Sequence, residues 1–120
     1  MLISLCQRIQ PPVLPYLQDN NEFGLTIELL DDEYEVQFAQ PDAAHMKNFR
    51  KNNMTLGELY VAFFDYFGSF DWQDQVVQIR SPAQLWKFDK EWHRSSMAIE
   101  DPFDLAHNLV AGVRLSTKFI

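Results

Sequence analysis

Ser96-Met97-Ala98-Ile99-Glu100-Asp101-Pro102-Phe103-Asp104-Leu105-Ala106-His107-Asn108-Leu109 joins a short apolar run to a carboxylate-rich turn and then to an apolar pattern at helical spacing. Met97-Ala98-Ile99 reads as a strand end. Pro102 pushes Asp101 into extended backbone, so the Asp101 side chain projects from a fixed point. Asp104 and His107 are three apart and share a face on the helix that the pattern predicts from Leu105 toward Phe119. The three polar side chains then converge on one small polar object. Carboxylates accept N–H groups, and an imidazole donates or accepts according to its tautomer. That set suits an edge pairing a ring N–H with carbonyls, as uracil does. Aspartates near a helix start also serve as caps and dipole partners, so spacing alone leaves both roles open.

The run Ile99-Glu100-Asp101-Pro102-Phe103-Asp104-Leu105-x-His107-Asn108-Leu109 resembles the nucleotide-recognition motif of RNA terminal uridylyltransferases. In those enzymes it lies in the poly(A)-polymerase-associated (PAP-associated) region of the DNA polymerase beta-like nucleotidyltransferases. The resemblance is strongest to the large cytoplasmic members with CCHC zinc knuckles. Two further blocks agree in order and spacing: Pro11-Pro12-Val13-Leu14-Pro15-x-Leu17-Gln18, and Thr55-Leu56-Gly57-Glu58-Leu59 through Phe70-Asp71-Trp72 to Ile79-Arg80.

The resemblance implies that His107 reads the uracil edge and favours UTP over ATP, with Asp101 and Asp104 as accompanying contacts to the base, direct or through water. It implies UTP as substrate, an RNA 3′ end as partner, a cytoplasmic setting, and Mg or Mn held by carboxylates on an upstream α/β catalytic domain of the same chain. The family's signature for that domain is a Gly-Ser pair followed by D-x-D. Here Gly68-Ser69 leads only to Asp71-x-x-Asp74, and no D-x-D occurs in the 120 residues. Val110 stands where the family usually has glycine.

Composition narrows the function classes. The chain is 47% apolar and 14% aromatic, which marks a folded domain with a modest core. A net charge of −7 argues against this piece gripping RNA phosphates by itself. Its single cysteine, Cys6, excludes an internal disulfide and a thiolate-rich zinc site. The apolar start Met1 to Cys6 lacks a basic flank and is too short for a signal peptide or a membrane span, so no membrane role is expected.

Along the chain, Leu2, Ile3, Leu5, Cys6 and Ile9 predict a helix stopped by Pro11-Pro12, and an apolar connector follows. Asp19-Asn20-Asn21 signals a turn, and Leu25 to Phe38 reads as an extended surface segment. Its acids Asp31, Asp32, Glu33 and Glu35 read as a solvated face. Pro41 predicts a short helix running to about Asn52-Asn53. Thr55-x-x-Glu58 is a capping box, and Leu56, Leu59, Tyr60, Phe63, Phe64 and Phe67 form an apolar stripe expected at the centre of the core, with Gly68 ending the helix.

Val76 to Arg80 reads as a strand that forms a hairpin with Met97-Ala98-Ile99. Lys87, Lys90, His93 and Arg94 between them are the one basic stretch, and Lys87, Lys90 and Arg94 are candidate contacts to RNA phosphates, with Trp86 and Trp92 as stacking platforms. The competing expectation is that both tryptophans pack beneath the loop while the charges are solvated.

The expected fold is α+β, mostly α with a small antiparallel β-hairpin. Residues 1–120 are expected to form a single PAP-associated domain fragment with both ends cut within helices and the catalytic domain absent. Such a piece is expected to be inactive alone. Two functions stand: the uracil-selecting part of an RNA terminal uridylyltransferase adding UMP to RNA 3′ ends, or a non-catalytic nucleotidyltransferase-like module that binds RNA or a protein partner. Part of a non-templated poly(A) polymerase is a third, weakened by His107.

Overall fold

The computed structural model describes residues 1–19, 26–30, 34–39 and 45–113. Helix α1, Leu2–Arg8, follows the predicted spacing. Pro11 and Pro12 have no amide N–H to extend it. The connector folds back over the helix, and the amides of Val13 and Leu14 donate to the Cys6 carbonyl at 2.7 and 3.1 Å. Gln7, buried on α1, donates from Nε2 to the carbonyls of Ile79 and Pro15, at 3.0 and 3.3 Å.

Strands β1 (Thr26–Leu30) and β2 (Tyr34–Phe38) pair antiparallel, Thr26 opposite Phe38 and Leu30 opposite Tyr34. The expected extended segment is therefore a hairpin. The predicted turn at Asn20-Asn21, the acids Asp31, Asp32 and Glu33, and the predicted helix start at Pro41 lie outside the described residues. That short helix is seen only as a 3-10 turn, His45–Asn48.

Helix α2, Leu56–Gly68, begins as predicted. The Glu58 amide donates to Thr55 Oγ1 at 3.2 Å, and the Thr55 amide donates to Glu58 Oε2 at 2.6 Å. Its apolar stripe departs from expectation: Phe67 is the one buried residue of the helix, while Leu56, Tyr60 and Phe64 are exposed. The reason is tertiary. Phe67 meets Leu5 of α1 and Val77, with Phe63, Tyr66, Phe70 and Trp72 packed around them, so the core covers only the C-terminal half of α2. Phe67 and Trp72 stack at 5.9 Å, and the Trp72 indole N–H caps the Phe67 carbonyl at 3.0 Å. The helix ends at Gly68 as expected, by a different device. Gly68 is the last helical residue and not a left-handed stop; the Ser69 hydroxyl donates to the Asp65 carbonyl at 2.9 Å and closes the helix.

Strand β3 (Gln75–Val76) pairs antiparallel with β4 (Leu85–Trp86). The small hairpin exists, but its return strand is not Met97-Ala98-Ile99. That segment runs parallel beside Val77, with the Val77 amide on the Ala98 carbonyl at 3.0 Å and the Glu100 amide on the Val77 carbonyl at 2.9 Å. β4 takes the antiparallel partner, and residues 87–96 loop round so that the chain re-enters in the original direction. Lys87 holds that loop. It is 2% exposed, and its ammonium donates to the carbonyls of Trp72 at 2.5 Å and Ser95 at 2.7 Å. The architecture is α+β: helices with small antiparallel sheets, two in number among the described residues.

Candidate functional site

The parallel bridge delivers Glu100 to the base of a closed loop, residues 101–107. The Asp101 amide donates to the His107 carbonyl at 3.1 Å, and Glu100 and Asn108 form an antiparallel bridge across the neck. The predicted helix from Leu105 is not formed through Val113, where the chain runs in turns; residues 114–120 lie outside the described residues. The cause is local competition. Asp101 Oδ1 accepts from the amides of Phe103 and Asp104 at 2.9 and 3.3 Å, and Asp104 Oδ1 accepts from Ala106 at 3.2 Å. Asn108 is buried; its Oδ1 accepts from Ile99 and Val110 at 3.1 and 3.2 Å, and its Nδ2 donates to the Met97 carbonyl at 3.1 Å. Side chains that capture amides in this way remove them from a helical ladder.

Asp101 and His107 do come together: His107 Nδ1 lies 3.2 Å from Asp101 Oδ2. The Phe103 amide is the main cause lowering the Asp101 carboxyl below its ordinary value, against opposing desolvation, with His107 and the Asp104 amide adding to it. An ionised Asp101 makes Nδ1 the protonated nitrogen and leaves Nε2 of the exposed imidazole as an acceptor. Asp104 is joined to His107 through the backbone, the His107 amide donating to the Asp104 carbonyl at 2.9 Å, and not by a shared helix face. Its carboxylate is exposed. Val110 sits in the turn that follows without positive φ, so this backbone does not demand glycine there.

Beneath the loop is a charged cluster that sequence reading missed. The Glu100 carboxylate, 1% exposed, accepts from Arg80 at 2.7 Å (Nε) and 3.2 Å, and from Lys90 Nζ at 2.8 Å. Burial pushes its pKa up, but the Arg80 and Lys90 bonds outweigh burial and hold the carboxyl below its ordinary value. Lys90 Nζ also donates to the Leu105 carbonyl inside the loop and lies 4.8 Å from the centre of the Trp92 ring. The signal in the sequence was an unpaired acid at a buried strand end, Glu100, with two cations upstream.

The basic stretch is thereby redistributed. Lys87 is corrected from an RNA-facing residue to a buried one, because three backbone carbonyls surround its ammonium. Lys90 is turned inward onto Glu100. Arg94 is exposed, as are Trp86 and Phe88. Among the described residues no three His, Cys, Asp or Glu side chains gather to hold a metal ion, so the carboxylates here do not fit a catalytic metal. No described helix is long and apolar enough to cross a membrane.

Residues 55–107 match the family described as Cid1 family poly A polymerase, PAP-associated. The chain is 34% identical over 125 residues to terminal uridylyltransferase 4 of Homo sapiens, covering all of this chain and 8% of that protein. It is 32% identical over 113 residues to poly(A) RNA polymerase cid11 of Schizosaccharomyces pombe, covering 91% of this chain and 22% of that protein. The structure of Cid1 in complex with the UTP analog UMPNPP superposes with a TM-score of 0.78 at 31% identity, over 98% of this chain and 37% of that one. The chain thus spans a small fraction of the relatives it matches. Residues 55–107 thus carry the PAP-associated region of the Cid1 family, and the chain as a whole is similar in sequence and fold to terminal uridylyltransferases and their poly(A) polymerase relatives.

Proposed function

We propose that this chain is the uracil-selecting part of an RNA terminal uridylyltransferase, which adds UMP from UTP to RNA 3′ ends, and that His107 is the reading residue. One observation carries the reading. Asp101 spends both carboxylate oxygens on the loop and on His107 Nδ1, which orients the exposed imidazole and leaves its Nε2 as the acceptor. With Nδ1 protonated, His107 Nε2 accepts the ring N–H of the base, and the exposed Asp104 carboxylate of the same loop is an accompanying contact. Uracil offers a ring N–H flanked by carbonyls. Adenine offers a bare ring nitrogen beside an amine, the reverse pattern. The relatives supply the reaction class: a terminal uridylyltransferase over the whole chain, and Cid1 bound to a UTP analog.

In this division of labour residues 101–107 bind and orient the base, while the metal ions and carboxylates of nucleotidyl transfer belong to a catalytic domain elsewhere in the complete protein. Those metals, Mg or Mn, would neutralise charge on the UTP triphosphate as pyrophosphate leaves. The RNA 3′ end is the second substrate, the exposed Arg94 is the remaining candidate of the basic stretch for contact with its backbone, and the setting is cytoplasmic.

The test is extension of a short RNA by the complete transferase with UTP or ATP. His107→Ala is expected to lower the UTP-over-ATP ratio of kcat/KM about 2- to 13-fold, the range of one hydrogen bond. A parent that prefers ATP assigns the chain to the poly(A) polymerases, as the name of the cid11 relative would have it. A complete protein that extends nothing yet binds RNA or a partner assigns it to the non-catalytic modules.

A further inference from the structure

The loop's other bonds close it upon itself or fasten its two ends. Asp101 and Asp104 cap neighbouring amides, the Asp101 amide meets the His107 carbonyl, and Asn108 staples the neck to Met97 and Ile99. A loop closed mainly by exposed bonds of its own opens readily about its neck unless something outside it holds it shut. Among the described bonds, one reaches into its middle from another segment: Lys90 Nζ on the Leu105 carbonyl. We propose that Lys90 is a positioning residue for base selection, holding the Leu105 carbonyl from a seat on the buried Glu100 carboxylate and so fixing where the loop presents His107.

The seat is built from three sides. Glu100 is anchored through its own amide to Val77 in the core and neutralised by the two Arg80 bonds. Trp92 closes over Lys90, a cation-π contact. Glu91, next to Lys90, has φ of 59°, a left-handed conformation that is unfavourable for a non-glycine residue. The turn it makes, with the Glu91 amide on the Phe88 carbonyl and the Trp92 amide on the Lys87 carbonyl, directs Lys90 inward. A lysine spent on a solvated surface would need none of this.

The inference rests on the base-selecting reading of His107, and Lys90→Met separates the two. Methionine keeps the apolar length of the side chain and removes the ammonium. Glu100 is left paired with Arg80, so no buried charge is orphaned. Amide hydrogen exchange is expected to quicken about tenfold or more at Asp101 and His107 while Val77 and Glu100 stay protected. In the complete transferase the UTP-over-ATP ratio is expected to fall about tenfold, through a raised KM for UTP with kcat nearly kept, and Lys90→Arg is expected to restore part of it. If Lys90→Met does not fold, Lys90→Met with Glu100→Gln removes the buried charge as well and is read in the same way.

Unchanged exchange at Asp101 and His107 overturns the clamp. Quickened exchange with an unchanged ratio, in a protein whose ratio does respond to His107→Ala, overturns its role in selection. A ratio that ignores His107→Ala overturns the base-selecting reading itself, and the inference falls with it for a separate reason.

Discussion

Glu100 shows how a single charge decides the site. A carboxylate at 1% exposure is costly unless its partners are in place, and here Arg80 and Lys90 donate to it while the Glu100 backbone amide is held by the Val77 carbonyl. Its folded pKa lies below the ordinary 4.5, so the unfolded chain takes up a proton at higher pH than the folded one. The stability it contributes is therefore fully present above that value and is lost as pH falls through the lowered folded value. Glu100→Gln is expected to cost about 2 kcal/mol at neutral pH, the scale of a charge-assisted hydrogen bond. In urea unfolding the difference between parent and variant should shrink as pH falls from about 5 to about 3. A difference that stays constant over that range would show that Glu100 is not ionised in its pairs. Asp101 follows the same sign: its loop-closing bonds are strongest above the ordinary carboxylate range and weaken in acid.

Among the elements, α2 was readable where its determinants are local and misread where they are not. Thr55 and Glu58 sit three apart and make the capping box the sequence spells. Thr55→Ala is expected to cost about 1 kcal/mol. Phe67→Ala, which opens a cavity between Leu5 and Val77, is expected to cost about 3 to 5 kcal/mol. Thermal or urea unfolding of the two variants checks that ranking, and equal losses would contradict the burial assigned to the two ends of α2. The stripe Leu56, Tyr60 and Phe64 has the same spacing as Phe63 and Phe67, and only the position of α1 separates the exposed part from the buried part. Spacing carries no information about that partner. The stretch from Leu105 was misread as a helix for a different reason. The apolar spacing after Leu105 was followed, while Asp101, Asp104 and Asn108, all competitors for backbone amides, were the stronger signal.

At the scale of the molecule, three long-range pairings build the site: Val77 beside Ile99, Arg80 with Glu100, and Lys87 on the Trp72 carbonyl. None has a local signature, which is why the residues of the loop were legible and the platform beneath them was not. Asp101, Asp104 and His107 were named from type and order; the sequence could not show that Asp101 orients His107 instead of facing outward. The account treats Asp101 and His107 as one unit, and tail composition tests that most directly. The complete transferase, given equal UTP and ATP and a short RNA, is sequenced at the new 3′ ends for the parent, Asp101→Asn, His107→Ala and the double variant. Asparagine keeps an acceptor for the Phe103 and Asp104 amides but turns an N–H toward Nδ1, which reverses the histidine tautomer. The account predicts uridine tails from the parent, mixed tails from each single variant, and a double variant no worse than His107→Ala. Independent, multiplying losses from the two substitutions, or uridine tails from all four proteins, would contradict it.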